Sequence, residues 1–79
     1  MKPPDGDHVL SASGTTMHFL IAPGGLTAKT TFDTFTWEPE YDMFVADHVL
    51  VTIRFTDSTH FLGSTGLPPN QSAYAGTYT

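Results

Sequence analysis

The run His48-Val49-Leu50-Val51-Thr52-Ile53-Arg54-Phe55 alternates with a period of two. Val49, Val51, Ile53 and Phe55 fall on one side of it, and His48, Thr52 and Arg54 on the other. Successive side chains of a strand point to opposite faces, so the pattern predicts a β-strand with one buried face. Residues 15–21 repeat the pattern upstream, with Met17, Phe19 and Ile21 facing one way and Thr16, His18 and Leu20 the other. Val9-Leu10 and His60-Phe61-Leu62 read as short strands bounded by Gly and Ser. Residues 30–37 are rich in Thr and aromatic side chains, which suit a pleated surface. Phe32 and Phe35 are out of phase there, which implies a bulge or bend. Residues 73–79 read as a final strand with Tyr74 and Tyr78 on one face, expected to lie at an exposed edge where a neighbouring chain can pair.

Between the strand-rich parts, Glu38-Pro39-Glu40-Tyr41-Asp42 sets Pro at a helix N1 position among acidic residues. Tyr41, Phe44, Val45 and His48 follow at helical spacing, so a short helix near residues 39–46, or only a turn, is expected. Pro3-Pro4-Asp5-Gly6 predicts an irregular N-terminal arm over residues 1–6, one that would order only on binding a partner. Pro68-Pro69-Asn70 predicts a loop.

Two halves of the chain echo one another. Asp7-His8-Val9-Leu10 recurs as Asp47-His48-Val49-Leu50, and His18-Phe19-Leu20 as His60-Phe61-Leu62. Phe32 and Phe35-Thr36 have counterparts in Tyr74 and Tyr78-Thr79. The pattern implies two repeat-like β-units, residues 7–36 and 47–79, joined by a connector over residues 37–46. The fold expected is a single all-β domain, a small sandwich or barrel of two such units.

Size and charge narrow the function. At 79 residues the chain buries only about 60–65% of its unfolded surface, and it has no cysteine to form disulfides or thiolate metal sites. Packing, a histidine-bound metal or partner subunits remain as sources of stability. Eight acidic residues against Lys2, Lys29 and Arg54 give a formal net charge of −5. Phosphate backbones and anionic membranes are bound by clustered Lys and Arg, so neither is an expected partner. No segment reaches the apolar length of a transmembrane helix. The first residues lack the apolar core of a signal peptide, which points to a protein made and used without secretion. Asn70-Gln71-Ser72 matches a glycosylation acceptor and, on that view, carries no meaning.

Chemistry-bearing motifs are few. His8, His18, His48 and His60 fall at matching places in the two halves, where a twofold would bring them together. None has the tight spacing of a metal motif, so no metal or cofactor is expected, although a shared interface would be pH-sensitive. No Gly-x-Ser-x-Gly elbow is present, and Pro23-Gly24-Gly25 lacks the Lys-Ser/Thr ending of a phosphate loop. Glu38 and Glu40 flank Pro39 beside Trp37, a pairing found in sugar-handling sites. Helix-start acids next to a core tryptophan explain it more simply.

Ala22-Pro23-Gly24-Gly25-Leu26-Thr27-Ala28-Lys29 resembles a segment near the N-terminal arm of the head decoration proteins of lambda-like phages. Ala73-Tyr74-Ala75-Gly76-Thr77 resembles the C-terminal strand of that family. The resemblance covers these two segments only, and implies a β-rich capsid-stabilising protein that assembles as trimers on the outside of a shell. The expectation is therefore a non-enzymatic structural protein of a virion, a decoration (cement) or minor capsid subunit. Its partners would be a capsid protein or further copies of itself in a homo-oligomer. Phe35, Trp37, Glu38, Glu40, Tyr41 and Tyr74 are the expected interface residues. The alternative is a small cytoplasmic binding module or inhibitor that docks on a basic protein through its acidic segment from Glu38 to Asp42.

Overall fold

In the computed structural model, which describes residues 1–66 and 71–79, eight antiparallel strands follow one another in chain order around a closed barrel. They are β1 Gly6–Ala12, β2 Thr15–Ile21, β3 Thr27–Lys29, β4 Thr34–Glu38, β5 Met43–Ala46, β6 Val51–Phe55, β7 His60–Thr65 and β8 Ser72–Tyr78. The Pro68-Pro69-Asn70 loop lies outside the described residues. β8 pairs with β7 along its length and with β1 at Leu10↔Tyr78 and Ser11↔Thr77, which closes the ring. The C-terminal strand is thus no free edge, because both of its sides are hydrogen-bonded.

An eight-stranded barrel is just wide enough for side chains to fill its interior. Here Phe19, Phe35, Phe44, Phe55 and Phe61, each at most 2% exposed, fill it together with Leu10, Ile21 and Ile53. The rings meet edge to face, Phe19 at 5.2 Å from both Phe35 and Phe44, and Phe55 at 4.6 Å from Tyr78 between centroids. Each such pair contributes about 0.5–1.5 kcal/mol beyond the area it buries. Small residues make room between the rings. A Cβ on Gly76 would strike the Ser11 carbonyl and the Phe61 ring, and one on Gly63 would enter the Tyr74 ring. The outer face carries Asp7, Thr16, His18, Lys29, Thr34 and Thr36, together with Leu20 and Leu62.

Turn chemistry sets the register. Ser13 and Gly14 both have positive φ, 52° and 77°, as a two-residue type I′ hairpin requires, and they fix Ala12 opposite Thr15. Residues 39–46 hold no helix. Tyr41 N–H donates to the Glu38 carbonyl at 3.1 Å, Asp42 sits at φ 52°, and the chain returns as β5. Proline's fixed φ suits the second position of a β-turn as well as the first turn of a helix, and the strand partners Glu38↔Met43 decide for the turn. Residues 37–46 therefore form part of the barrel wall.

Two further expectations need correction. The strand expected over residues 48–55 begins only at Val51, because Val51 N–H donates to the Val49 carbonyl at 3.0 Å and so turns the chain tightly just before it. The strand expected over residues 30–37 begins only at Thr34, because the bulge or bend expected between Phe32 and Phe35 is a bend at residues 31–32 that belongs to the hairpin turn between β3 and β4.

The repeat-like words fall unevenly. His18-Phe19-Leu20 lies in β2 and His60-Phe61-Leu62 in β7, with the Phe buried and the His and Leu exposed in both. Asp7 to Leu10 lies in β1, whereas Asp47 to Leu50 forms bends between β5 and β6.

The N-terminal arm lies against its own barrel. It crosses one end of the barrel, where Pro3 is buried and Asp5 accepts from Gly24 N–H at 2.9 Å. Lys2 donates to the Gly25 carbonyl at 3.1 Å and lies over the Trp37 ring at 5.2 Å. His8 holds the arm to the last strand, its two ring nitrogens 2.6 Å from the Pro4 carbonyl and 3.1 Å from that of Thr79.

Candidate interaction surface

The barrel divides the six expected interface residues into two groups. Phe35 is buried in the core, and Trp37 and Tyr74 are half-buried against it, Trp37 on Phe44 at 4.9 Å and Tyr74 edge-on to Phe61 at 6.1 Å. All three point inward, so the chain itself covers Phe35 and part of the area of Trp37 and Tyr74. Burial raises the Tyr74 phenol above its ordinary pKa. Glu38, Glu40 and Tyr41 come together at the β4–β5 turn, at the end that the arm covers. Tyr41 is exposed, and its carbonyl receives the Arg54 guanidinium at 2.7 Å. Asp42 in the same turn lies 2.7 Å from the Met1 amino nitrogen.

The histidines have separate attachments. His18 contacts Asp7 at 2.8 Å and His60 contacts Asp57 at 3.0 Å, both on the surface. The Asp57 carboxyl also accepts from the Thr59 and His60 backbone N–H groups at 2.8 Å. The Thr59 N–H first, and then the His60 ring, hold its pKa at about 2. Asp57 further accepts, through its backbone carbonyl, the Tyr78 hydroxyl at 2.7 Å. No group of three or more His, Asp or Glu placed to hold a metal occurs among the described residues.

The most exposed apolar side chains at the opposite end were not among the expected set. Phe32 is 90% exposed at the tip of the β3–β4 turn, which is closed by Thr30 N–H donating to the Asp33 carbonyl at 2.9 Å. Val49 and Leu50 are exposed in the β5–β6 connection at the same end of the barrel. Asp47 binds the two segments together. Its N–H donates to the Thr34 carbonyl at 2.9 Å, and its carboxylate accepts the Thr34 hydroxyl at 2.9 Å and the Thr36 hydroxyl at 2.8 Å. Those hydroxyls, Thr36 foremost, hold the Asp47 carboxyl below the usual carboxylate range. The signal for Phe32 was present in its phase mismatch with Phe35. For Val49 and Leu50 it was the run Val49-Leu50-Val51, three adjacent apolar residues where strict alternation puts a polar one in the middle.

Beside this crown a cleft of about 820 Å³ opens over β3. Leu20 and Pro23 expose apolar side chains along it over a floor of the buried Ile21, Ala28 and Phe35, and Asp5, Lys29 and Asp47 are its charged groups. The arm end exposes Leu26 and Tyr41 as well, but sets them among Asp5, Glu38, Glu40 and Asp42.

These features define an up-and-down β-barrel with a filled interior and exposed apolar side chains at both ends. No family model matches the sequence, and neither a curated protein nor a solved structure matches the chain.

Proposed function

We propose that the protein is a non-enzymatic structural subunit that acts by protein–protein contact, as a decoration (cement) or minor shell subunit of a viral particle. The observation that carries the reading is Phe32. A phenylalanine 90% exposed on a hydrogen-bonded turn, with Val49 and Leu50 at the same end, is surface left for another subunit to cover. The filled interior supports the same reading, since it leaves no room for a substrate inside the barrel. The partner is a shell protein or further copies of this chain, and the resemblance of residues 22–29 and 73–77 to phage head decoration proteins favours the shell. Purified particles from the native source, quantified by mass spectrometry, test it. The chain is expected at a fixed ratio to the shell protein; finding it only in the particle-free fraction would overturn the reading.

A second reading rests on a different surface. The exposed turn that gathers Glu40, Tyr41 and Asp42 supports an acidic module docking on a basic protein. Charge reversal at Glu40 separates the two, because it disrupts the second mode of contact and leaves the first intact.

A further inference from the structure

We propose that the cleft over β3 is a binding site for a small apolar organic cation, an alkyl- or arylammonium, whose charged group is received by Asp47. The cleft's volume, about 820 Å³, lies within the range of small-molecule sites, roughly 300–1,000 Å³. Its lining has the composition of such sites, an apolar body with a few polar groups at fixed positions.

Asp47 is the group that selects the ligand. Carboxylates at protein surfaces commonly pair with Lys or Arg, but Asp47 is held by two hydroxyls, Thr36 on Oδ1 and Thr34 on Oδ2. A hydroxyl donor orients a carboxylate and keeps it ionised without cancelling its charge. Each carboxylate oxygen has a second acceptor site, so Asp47 retains capacity for a further donor. The backbone bond from Asp47 N–H to the Thr34 carbonyl fixes its position on the wall. No Lys or Arg lies within ion-pair distance of Asp47 among the described residues.

The remaining charges fit a cationic ligand. Asp5 and Asp47 against Lys29 leave the cleft negative, within a protein of net charge −5 that attracts cations at long range. Asp5 belongs to the arm and takes one hydrogen bond, from Gly24 N–H, whereas Asp47 is fixed on the barrel wall by two hydroxyls and its own backbone. Lys29 is the exposed cation of the same cleft, and its removal is expected to strengthen ligand binding.

Titration of the labelled protein with hexylammonium, followed by amide NMR, tests the site. Hexanol and hexanoate serve as the neutral and anionic counterparts. The expected result is saturable shifts at Leu20, Ala28, Lys29 and Asp47 with hexylammonium, and about tenfold weaker binding of hexanol, the loss of one charge-assisted hydrogen bond. Asp47→Asn is expected to remove that preference, and Lys29→Met to tighten hexylammonium binding. Wild-type protein carries the charge test by itself, so a poorly folded Asp47→Asn leaves the proposal open to refutation. Equal binding of the three probes, tighter binding of hexanoate, or no saturable shift at these residues would each overturn it.

Discussion

Five of the six phenylalanines lie in the barrel interior at no more than 2% exposure, while the sixth, Phe32, stands at the tip of a turn at 90%. The residue type is the same and the strands differ little in composition, so the difference comes from backbone position. An inward register position places a ring among other rings, where edge-to-face contacts and area burial both stabilise it. A turn position offers no neighbours of its own. The interior thus completes the fold, and the Phe32 end presents apolar area that the fold leaves uncovered. The arm end lies between these extremes, since the chain's own first residues close it.

That contrast can be broken most severely from inside. Phe44→Ala should lose about 3–5 kcal/mol, a large part of the 5–15 kcal/mol expected for a domain, seen as a lowered urea midpoint. Next comes Gly76→Ala, which forces a methyl against the Ser11 carbonyl and the Phe61 ring. Overpacking of this kind costs about 1–3 kcal/mol and is read in the same titration. At the closed end, Lys2→Ala removes a hydrogen bond to Gly25 and the contact with Trp37, and about 0.5–1.5 kcal/mol should follow, with a change in tryptophan fluorescence.

Asp57 gives a smaller effect with a defined pH window. Its folded-state pKa is depressed from 3.8 to about 2, so its contribution is present above 3.8 and is lost as pH falls through about 2. The melting temperatures of wild type and Asp57→Asn should differ at neutral pH, and the gap should close as pH falls across that window. Smallest is Phe32→Ser, which should leave stability within about 0.5 kcal/mol of wild type, as the substitution removes no packing.

How much of this was legible in the sequence follows from which interactions are local. β2 and β8 were readable because strict alternation is a local signal, and Phe19, Ile21 and Tyr78 fall where it puts them. The all-β class followed from the same signal. Closure of the ring was not readable, because the Leu10↔Tyr78 pairing joins opposite ends of the chain. The sequence around Pro39 left a helix start and a turn both open, because proline and acids favour both, and only the return strand distinguishes them. The aromatic residues expected at an interface were chosen by type. Register, which turns Phe35, Trp37 and Tyr74 inward, is a property of strand pairing and becomes visible only when the barrel is assembled.

The measurement that bears most directly on the exposed end is sedimentation equilibrium of wild type and Phe32→Ser over a range of concentrations. Wild type should rise above the monomer mass with concentration, and Phe32→Ser should stay at the monomer mass with an unchanged melting temperature. Identical mass curves for the two proteins, whether both monomeric or both associated, would contradict a role for Phe32 in contact between copies of this chain.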